Sequence, residues 1–509
     1  MKEFSKIEKI ALLVIIFLIG YFPFFKFIYQ NSDGLFHLSR IESIYLNLKD
    51  GILLPNIQSG NMTTFGYLPD IFYPCLFYYI PALFRFIFPI HISLYIGFCI
   101  YKGLAIFLSY KYAPSFFKDI EKTKAFILMY FSNPIFVFLI MKQAYAEYIA
   151  VLFIPLVIFG LNKIKEENNV NLLVLAMSLI LAIHLLSLYI CTIICILYFL
   201  NLLINKKKKE ALSIIKAGFI TIIIGSYFLI PFIYYIKDGY KYKPSFNLIN
   251  IDTNTDICLI VIAIIVLVAV ITLMLKTKID KYLIVTLILI YMRSPLFPIR
   301  VFEFLRIFQS RRRISPYIAL FLIIFLVKKF KGKKILDLYT LTIFIIVIIS
   351  IFFQTGKIVN SLDPTVKTFT KFSDSYYMRT NLEFLPDDLL TEYPYNNHIF
   401  EQVDEIIDEL NNTKVDAIRT YRKNSKEIYI SEKESGFLPK IYYPLYKITQ
   451  EDNDNIKISR KDGLIYFENA IPNKEFRLSY KNSIIQYISL IISLIFLSSY
   501  IYTQKKKKP

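Results

Sequence analysis

Tryptophan is absent from this chain, cysteine is rare and charge is thin: 509 residues carry no Trp, 5 Cys and 19% charged side chains. Each shortage excludes something. A soluble chain of this length would carry more charge and break up its apolar runs, so a wholly soluble fold is excluded. The cysteines (Cys75, Cys99, Cys191, Cys195, Cys258) all fall within or beside apolar segments, so no disulfide framework is indicated. Cys191 and Cys195 share a helical face, but with no further ligand type nearby they read as small buried residues rather than a metal pair. Without Trp, the 39 Tyr and 46 Phe must supply the interfacial aromatics.

Long apolar runs are what the chain has in quantity. Hydrophobic residues make up 56% of it and the mean hydropathy is +0.50. Runs at 10–28, 172–204, 214–236, 257–275, 335–353 and 484–502 each match the roughly 20 residues that a helix needs to cross ~30 Å of hydrocarbon. The net charge of +20 could suggest nucleic acid. Its lysines, however, gather in short loops at 206–209, 276–281, 328–334 and 505–508, the pattern of cytoplasmic loops beside spans, and no nucleic-acid partner is expected. The apolar run at the N-terminus carries no small-residue cleavage site and reads as an uncleaved anchor.

Placing every lysine-rich loop in the cytoplasm gives crossings at 10–28, 94–110, 125–141 and 149–161. A hairpin over 170–204 turns near His184, and further crossings follow at 214–236, 257–275, 282–291, 314–327, 335–353 and 484–502. The expected fold is an all-α polytopic membrane protein of about 12 spans with both termini cytoplasmic. It divides into a membrane module (1–353), a small extracytoplasmic α+β or mostly β domain (354–483), and a last span with a lysine tail (484–509). Residues 71–90 do not fit as a crossing and are expected to lie in the outer interface. Within the external domain, helical spacing is expected over 400–410 and strands over 427–431, 456–459, 463–468 and 475–480.

Ionisable residues beside spans are expensive and usually have a reason. In the run Asp33-Gly34-Leu35-Phe36-His37-Leu38-Ser39-Arg40, a helix would put Asp33, His37 and Arg40 on one face. A carboxylate there can act as a general base or hold a metal, and a guanidinium can grip phosphate; the plainer alternative is that Asp33 only caps the helix. Lys142-Gln143-Ala144-Tyr145-Ala146-Glu147 forms a second cluster, readable as a polar turn. His184 is alone in its hairpin, where a structural hydrogen bond is the ordinary explanation. Residues 293–313 hold Arg293, Arg300, Arg306, Arg311, Arg312 and Arg313 against Glu303 alone. That set suits an anionic ligand such as a lipid-linked phosphate, unless the loop is cytoplasmic.

These residues together resemble the GT-C-type membrane glycosyltransferases. The nearest branch is the bacterial one often named pyruvoyl-tetrahydropterin-synthase-related membrane proteins, similar to enzymes that glycosylate teichoic acids. The resemblance rests on Asp33, His37, Arg40, Gly51 and Pro55, the stretch Phe65 to Pro74, Ala146-Glu147, His184, Gln309 with Arg313, Asn381 to Pro386 and Lys461 to Ile465. Departures are Cys75 where the family has proline, Lys142 where it has arginine, and Ser310-Arg311-Arg312 inside the Gln-to-Arg motif. The resemblance implies transfer of a sugar from a polyprenyl-phosphate donor to a cell-envelope glycan or glycolipid at the outer face. Asp33 would be the base or a metal-linked residue, Glu147 a second acid, and His37, Arg40, Lys142, His184 and Arg313 substrate-binding residues. A divalent metal is an open expectation. The competing readings are a lipid-linked polysaccharide flippase and a non-catalytic scaffold that binds cell-wall polymer.

Overall fold

The structure, a computed structural model, describes residues 4–18, 27–29, 33–58, 65–237, 280–294, 297, 311–329, 345, 366–368, 414–423 and 426–506. In chain order these form α1 (Lys6–Leu18), β1 (Phe27–Tyr29), α2 (Gly34–Lys49), α3 (Pro69–Phe72) and α4 (Tyr79–Phe84). Then come α5 (Ile90–Phe117), α6 (Ile120–Phe131), α7 (Pro134–Met141), α8 (Tyr145–Glu167), α9 (Asn171–Leu181) and α10 (Leu185–Ile204). The helices α11 (Lys208–Ile224), α12 (Ser226–Ile236), α13 (Lys281–Arg293) and α14 (Ser315–Lys329) follow, with a 3-10 turn at Arg311–Ile314. Strand β2 (Val366–Thr368) precedes β3 (Ile418–Lys423), β4 (Lys426–Ile430), β5 (Gly436–Ile441), β6 (Tyr446–Gln450), β7 (Lys457–Lys461), β8 (Leu464–Glu468) and β9 (Phe476–Tyr480), and α15 (Ile484–Lys506) ends the series.

The fold is mostly helical with a small β region toward the C-terminus. Among the described residues, five helical segments are long and apolar enough to cross a membrane: Ile90–Phe117, Ile120–Met141, Tyr145–Glu167, Leu185–Ile204 and Ile484–Gln504. Local chemistry sets their ends. Asp119 accepts from the backbone N–H groups of Glu121 and Lys122 to start α6. Asn133 and Pro134 restart the same apolar segment as α7. α8 stops where Asn168 turns left-handed at φ 51°. The run 170–204 does break at His184, as the hairpin reading expects. Helices α11 and α12 meet at a 73° bend on Gly225, where an added Cβ would stand 2.1 Å from a Leu181 methyl. A larger residue there would have to displace the Leu181 side chain.

One expectation holds and one changes. Residues 71–90 carry α3, a 3-10 turn (Leu76–Tyr78) and α4, none long enough to cross, in keeping with an interfacial segment. The first apolar run, by contrast, is not one helix to residue 28. Phe27-Ile28-Tyr29, a sequence of high β propensity, instead pairs antiparallel with Val366–Thr368. The expected spans at 257–275 and 335–353 and the helix at 400–410 lie outside the described residues.

The β region holds two antiparallel sheets, ordered β3-β4-β9-β6 and β5-β8-β7. Its core is shared with the membrane module: Ile57, Phe65, Tyr67, Leu68, Ile71 and Phe72 of the first loop, and Tyr235 of α12, are buried in the same cluster as Tyr429, Leu438, Leu464, Phe467 and Phe476. Hydrogen bonds seal the join, with Ile441 N–H donating to the Phe65 carbonyl at 2.9 Å, and the side-chain amides of Asn482 and Gln486 both donating to the Pro55 carbonyl. The loop after α2 is thus clamped between helices and sheets.

Candidate functional site

Asp33 opens α2, but it does not cap it: its backbone is helical (φ −63°, ψ −7°) and its side chain makes no capping bond. That removes the plainer explanation for the residue. The residue is exposed overall, yet protein crowds its carboxylate. The crowding raises its pKa from the ordinary carboxylate value, and the nearby guanidinium groups of Arg313 and Arg312 oppose the shift. The next residue, Gly34, is fixed by close approach, since a Cβ there would lie 2.0 Å from Gln143 Oε1. Gln143 is buried and left-handed (φ 57°), at the centre of the turn joining α7 to α8. The start of α2 is thereby pressed onto the turn that leads to Glu147.

Glu147 lies in the first turn of α8, with Oε2 3.5 Å from Arg313 Nη1. The same Nη1 stands 3.4 Å from His184 Nε2. His184 begins α10, accepting at Nδ1 from Ser187 N–H, with the Ser187 hydroxyl 2.8 Å away. Burial, then Arg313, then His37 hold His184 well below its usual pKa, so the ring is neutral. Asp33 and Arg312 lie within electrostatic reach of Glu147 as well. Two carboxylates, two guanidinium groups and one neutral imidazole from four separated segments therefore converge. Arg311 differs from its neighbours, because it donates to the carbonyls of Ser294 (2.7 Å) and Phe297 (3.1 Å) and props that stretch of chain.

Behind this cluster lies a closed network. Arg40, fully buried, donates Nε to Asp70 Oδ1 at 2.6 Å, Nη2 to the carbonyls of Tyr73 (2.8 Å) and Pro74 (3.1 Å), and Nη1 to Tyr78 Oη at 3.3 Å. Gln58 donates to the other Asp70 oxygen at 2.9 Å. Tyr78 Oη meets His37 Nδ1 at 2.5 Å. Because Arg40 can only donate, Tyr78 accepts from it and passes its own proton toward His37, whose Nδ1 accepts. Burial, and secondarily Arg40, push the His37 pKa down to about 3, so this ring too is neutral. Tyr73 returns the network to the open cluster, its ring 6.0 Å and edge-on from that of His184.

The expected site residues thus separate. Asp33, Glu147, His184 and Arg313 come together. His37 and Arg40 stand behind them, locked in the buried network, and Arg40 has its donors engaged by protein rather than presented to a ligand. Lys142 is exposed, 5.9 Å from the Phe138 ring centroid. Arg300, Arg306, Glu303 and Gln309 lie outside the described residues. Gln58 and Ser187 escaped sequence reasoning, and Asp70, Tyr78 and Gln143 lay in stretches it singled out without being given a role. The one signal was a lone carboxylate, Asp70, set in an otherwise apolar stretch. Among the described residues no group of three or more His, Cys, Asp or Glu side chains is arranged to hold a metal ion.

A mostly helical chain with five potential spans among the described residues, a β region and a convergent acid–arginine–histidine cluster is the class that fold and site define. No protein-family model matches it. An uncharacterized protein of Lactococcus lactis subsp. cremoris (strain MG1363) is 27% identical over 259 residues, which cover 47% of this chain. The match spans 42% of that relative's own length.

Proposed function

We propose that this chain is a GT-C-like membrane glycosyltransferase of about 12 spans with cytoplasmic termini. It moves a sugar from a polyprenyl-phosphate donor to a cell-envelope glycan or glycolipid at the outer face. The observation that carries the reading is the convergence of Asp33, Glu147, His184 and Arg313, with Asp33 left uncapped and open to solvent. An inverting displacement needs a base on one side of the sugar and charge stabilisation of the leaving phosphate on the other. Asp33 takes the proton of the acceptor hydroxyl. The acceptor oxygen bonds the anomeric carbon as its bond to phosphate breaks, and the released polyprenyl phosphate is held by Arg313 and Arg312. Glu147 orients Arg313.

The test is Asp33→Asn, assayed for transfer from labelled lipid-linked sugar in membranes that hold equal amounts of protein. A loss of about 100-fold or more is expected for removing a general base. Undiminished transfer would sink the role of Asp33. Movement of the lipid-linked sugar with no new glycosidic bond would replace the reading by that of a flippase. Because crowding raises the Asp33 pKa, the acid limb of the transfer profile should lie above the ordinary carboxylate range, activity falling as pH drops through it.

A further inference from the structure

The far end of the helical module carries a second convergent charge cluster. Helix α8 runs from Glu147 to Lys165 over roughly 27 Å, so the two clusters are separate. Lys165 near the end of α8, Lys281 at the start of α13 and Lys328 near the end of α14 come from distant parts of the sequence, yet they act electrostatically on one another. The ammonium groups of Lys281 and Lys328 are each 5.0 Å from the centroid of the Tyr282 ring. Lys328, half-buried, also lies 4.0 Å over Phe116. Like charges held this close are unfavourable unless an anion lies among them.

Two acids offset part of this charge, Asp280 acting on Lys281 and Lys328 and Glu166 on Lys328, though each also holds another group. Asp280 accepts from the Tyr282 backbone N–H at 2.7 Å, and Glu166 pairs with Lys118 at 3.8 Å. Lys122 adds a further ammonium, donating to the Lys328 carbonyl at 2.9 Å. Among the described residues, no carboxylate lies within ion-pair distance of Lys165, Lys281 or Lys328. Two ammonium groups over aromatic faces, with Lys165 in electrostatic reach, at the ends of apolar helices fit a phosphate that arrives with acyl chains attached.

We propose that Lys165, Lys281 and Lys328 form a binding site for the phosphate of an anionic phospholipid headgroup, at the opposite end of the module from Asp33. The site rests on the membrane reading of the helices and not on the sugar-transfer reading. The test is native mass spectrometry of the full chain in detergent, titrated with phosphatidylglycerol and, separately, phosphatidylcholine. Phosphatidylglycerol should be retained selectively, and Lys281→Gln with Lys328→Gln should weaken it about 5-fold for each charge removed. The charge-keeping pair Lys281→Arg and Lys328→Arg should bind within about twofold of wild type, which separates loss of charge from loss of fold. The control replaces Lys206, Lys207, Lys208 and Lys209 with Gln. If that control weakens binding as much as the double Gln variant, or if the double variant binds as wild type does, the site is overturned. Displacement of the lipid by millimolar inorganic phosphate would overturn the lipid commitment.

Discussion

Two arginine–carboxylate pairs stand side by side in this protein and differ in almost everything but chemistry. Arg40 and Asp70 meet at 2.6 Å with both side chains wholly buried. Arg313 and Glu147 stand 3.5 Å apart with 22% and 10% of their side chains exposed. The first guanidinium is enclosed by a carboxylate, a phenol and two backbone carbonyls, and its rigidity carries the Tyr73 turn up to His184. The second faces an imidazole and a group of acids that solvent can reach. A desolvated pair with its donors engaged cannot receive a ligand without breaking, whereas a longer, wetter pair can exchange partners. Of two identical residue types, the looser one is the better candidate for chemistry.

The sharpest way to break this comparison is to remove the buried arginine. Arg40→Met leaves Asp70 charged and enclosed, which should destabilise the protein by about 3–5 kcal/mol, read as a lowered denaturation midpoint in mild detergent. Wild-type stability in that variant would show that the pair is not a strut. Arg313→Lys should do the reverse. A compact ammonium cannot reproduce the fork that faces both Glu147 and His184, so sugar transfer should fall about 10- to 100-fold while stability stays within about 0.5 kcal/mol. A matching fall in stability would erase the distinction between the two pairs.

The same contrast explains what could be read from the sequence. Asp33, Glu147, His184 and Arg313 stood out because each interrupts or ends an apolar run, and hydrocarbon makes such interruptions visible. The strands β4, β7, β8 and β9 were legible from turn residues and alternation, each within a residue or two of its actual bounds. The strands β3, β5 and β6 were not. Thr420, Pro439 and Thr449 interrupt their apolar pattern, and the register of β5 and β6 is set by the distant strands β8 and β9. Asp70 and Gln58 were missed for a similar reason. Gln58 is polar in a loop, where polarity is unremarked, Asp70 sits in the single turn α3, and only the shared core of the first loop and the sheets makes them buried. Arg40 was recognised but given the wrong kind of partner, because spacing along a helix says nothing about which loop folds over it.

A smaller effect tests the closed side of the comparison through pH. His37 is held neutral with a pKa of about 3 against an ordinary 6.5. Above pH 6.5 neither folded nor unfolded chain protonates it, and its contribution to stability is complete. As the pH falls from 6.5 toward 3 the unfolded chain takes up a proton that the folded chain refuses. Stability should then drop by up to about 1.4 kcal/mol per pH unit. His37→Gln, which can still accept from Tyr78, should lose that part of the slope, as melting curves between pH 7 and pH 5 would register. Equal slopes would mean that His37 is not sealed from water.

The smallest expected effect concerns Lys142, which the resemblance implies as a phosphate ligand and the geometry leaves outside the cluster. Its neighbour Gln143 makes the turn. Being left-handed and packed against Gly34, that residue directs its own side chain inward and leaves Lys142 on the exposed side. Lys142→Gln should therefore change stability by less than about 0.5 kcal/mol and leave transfer unaltered, whereas Gln143→Ala, which empties a buried site, should cost about 1–3 kcal/mol. A large loss of transfer in Lys142→Gln would place a cation of the donor site where the structure has an open surface, and the division between open and closed pairs would need a third member.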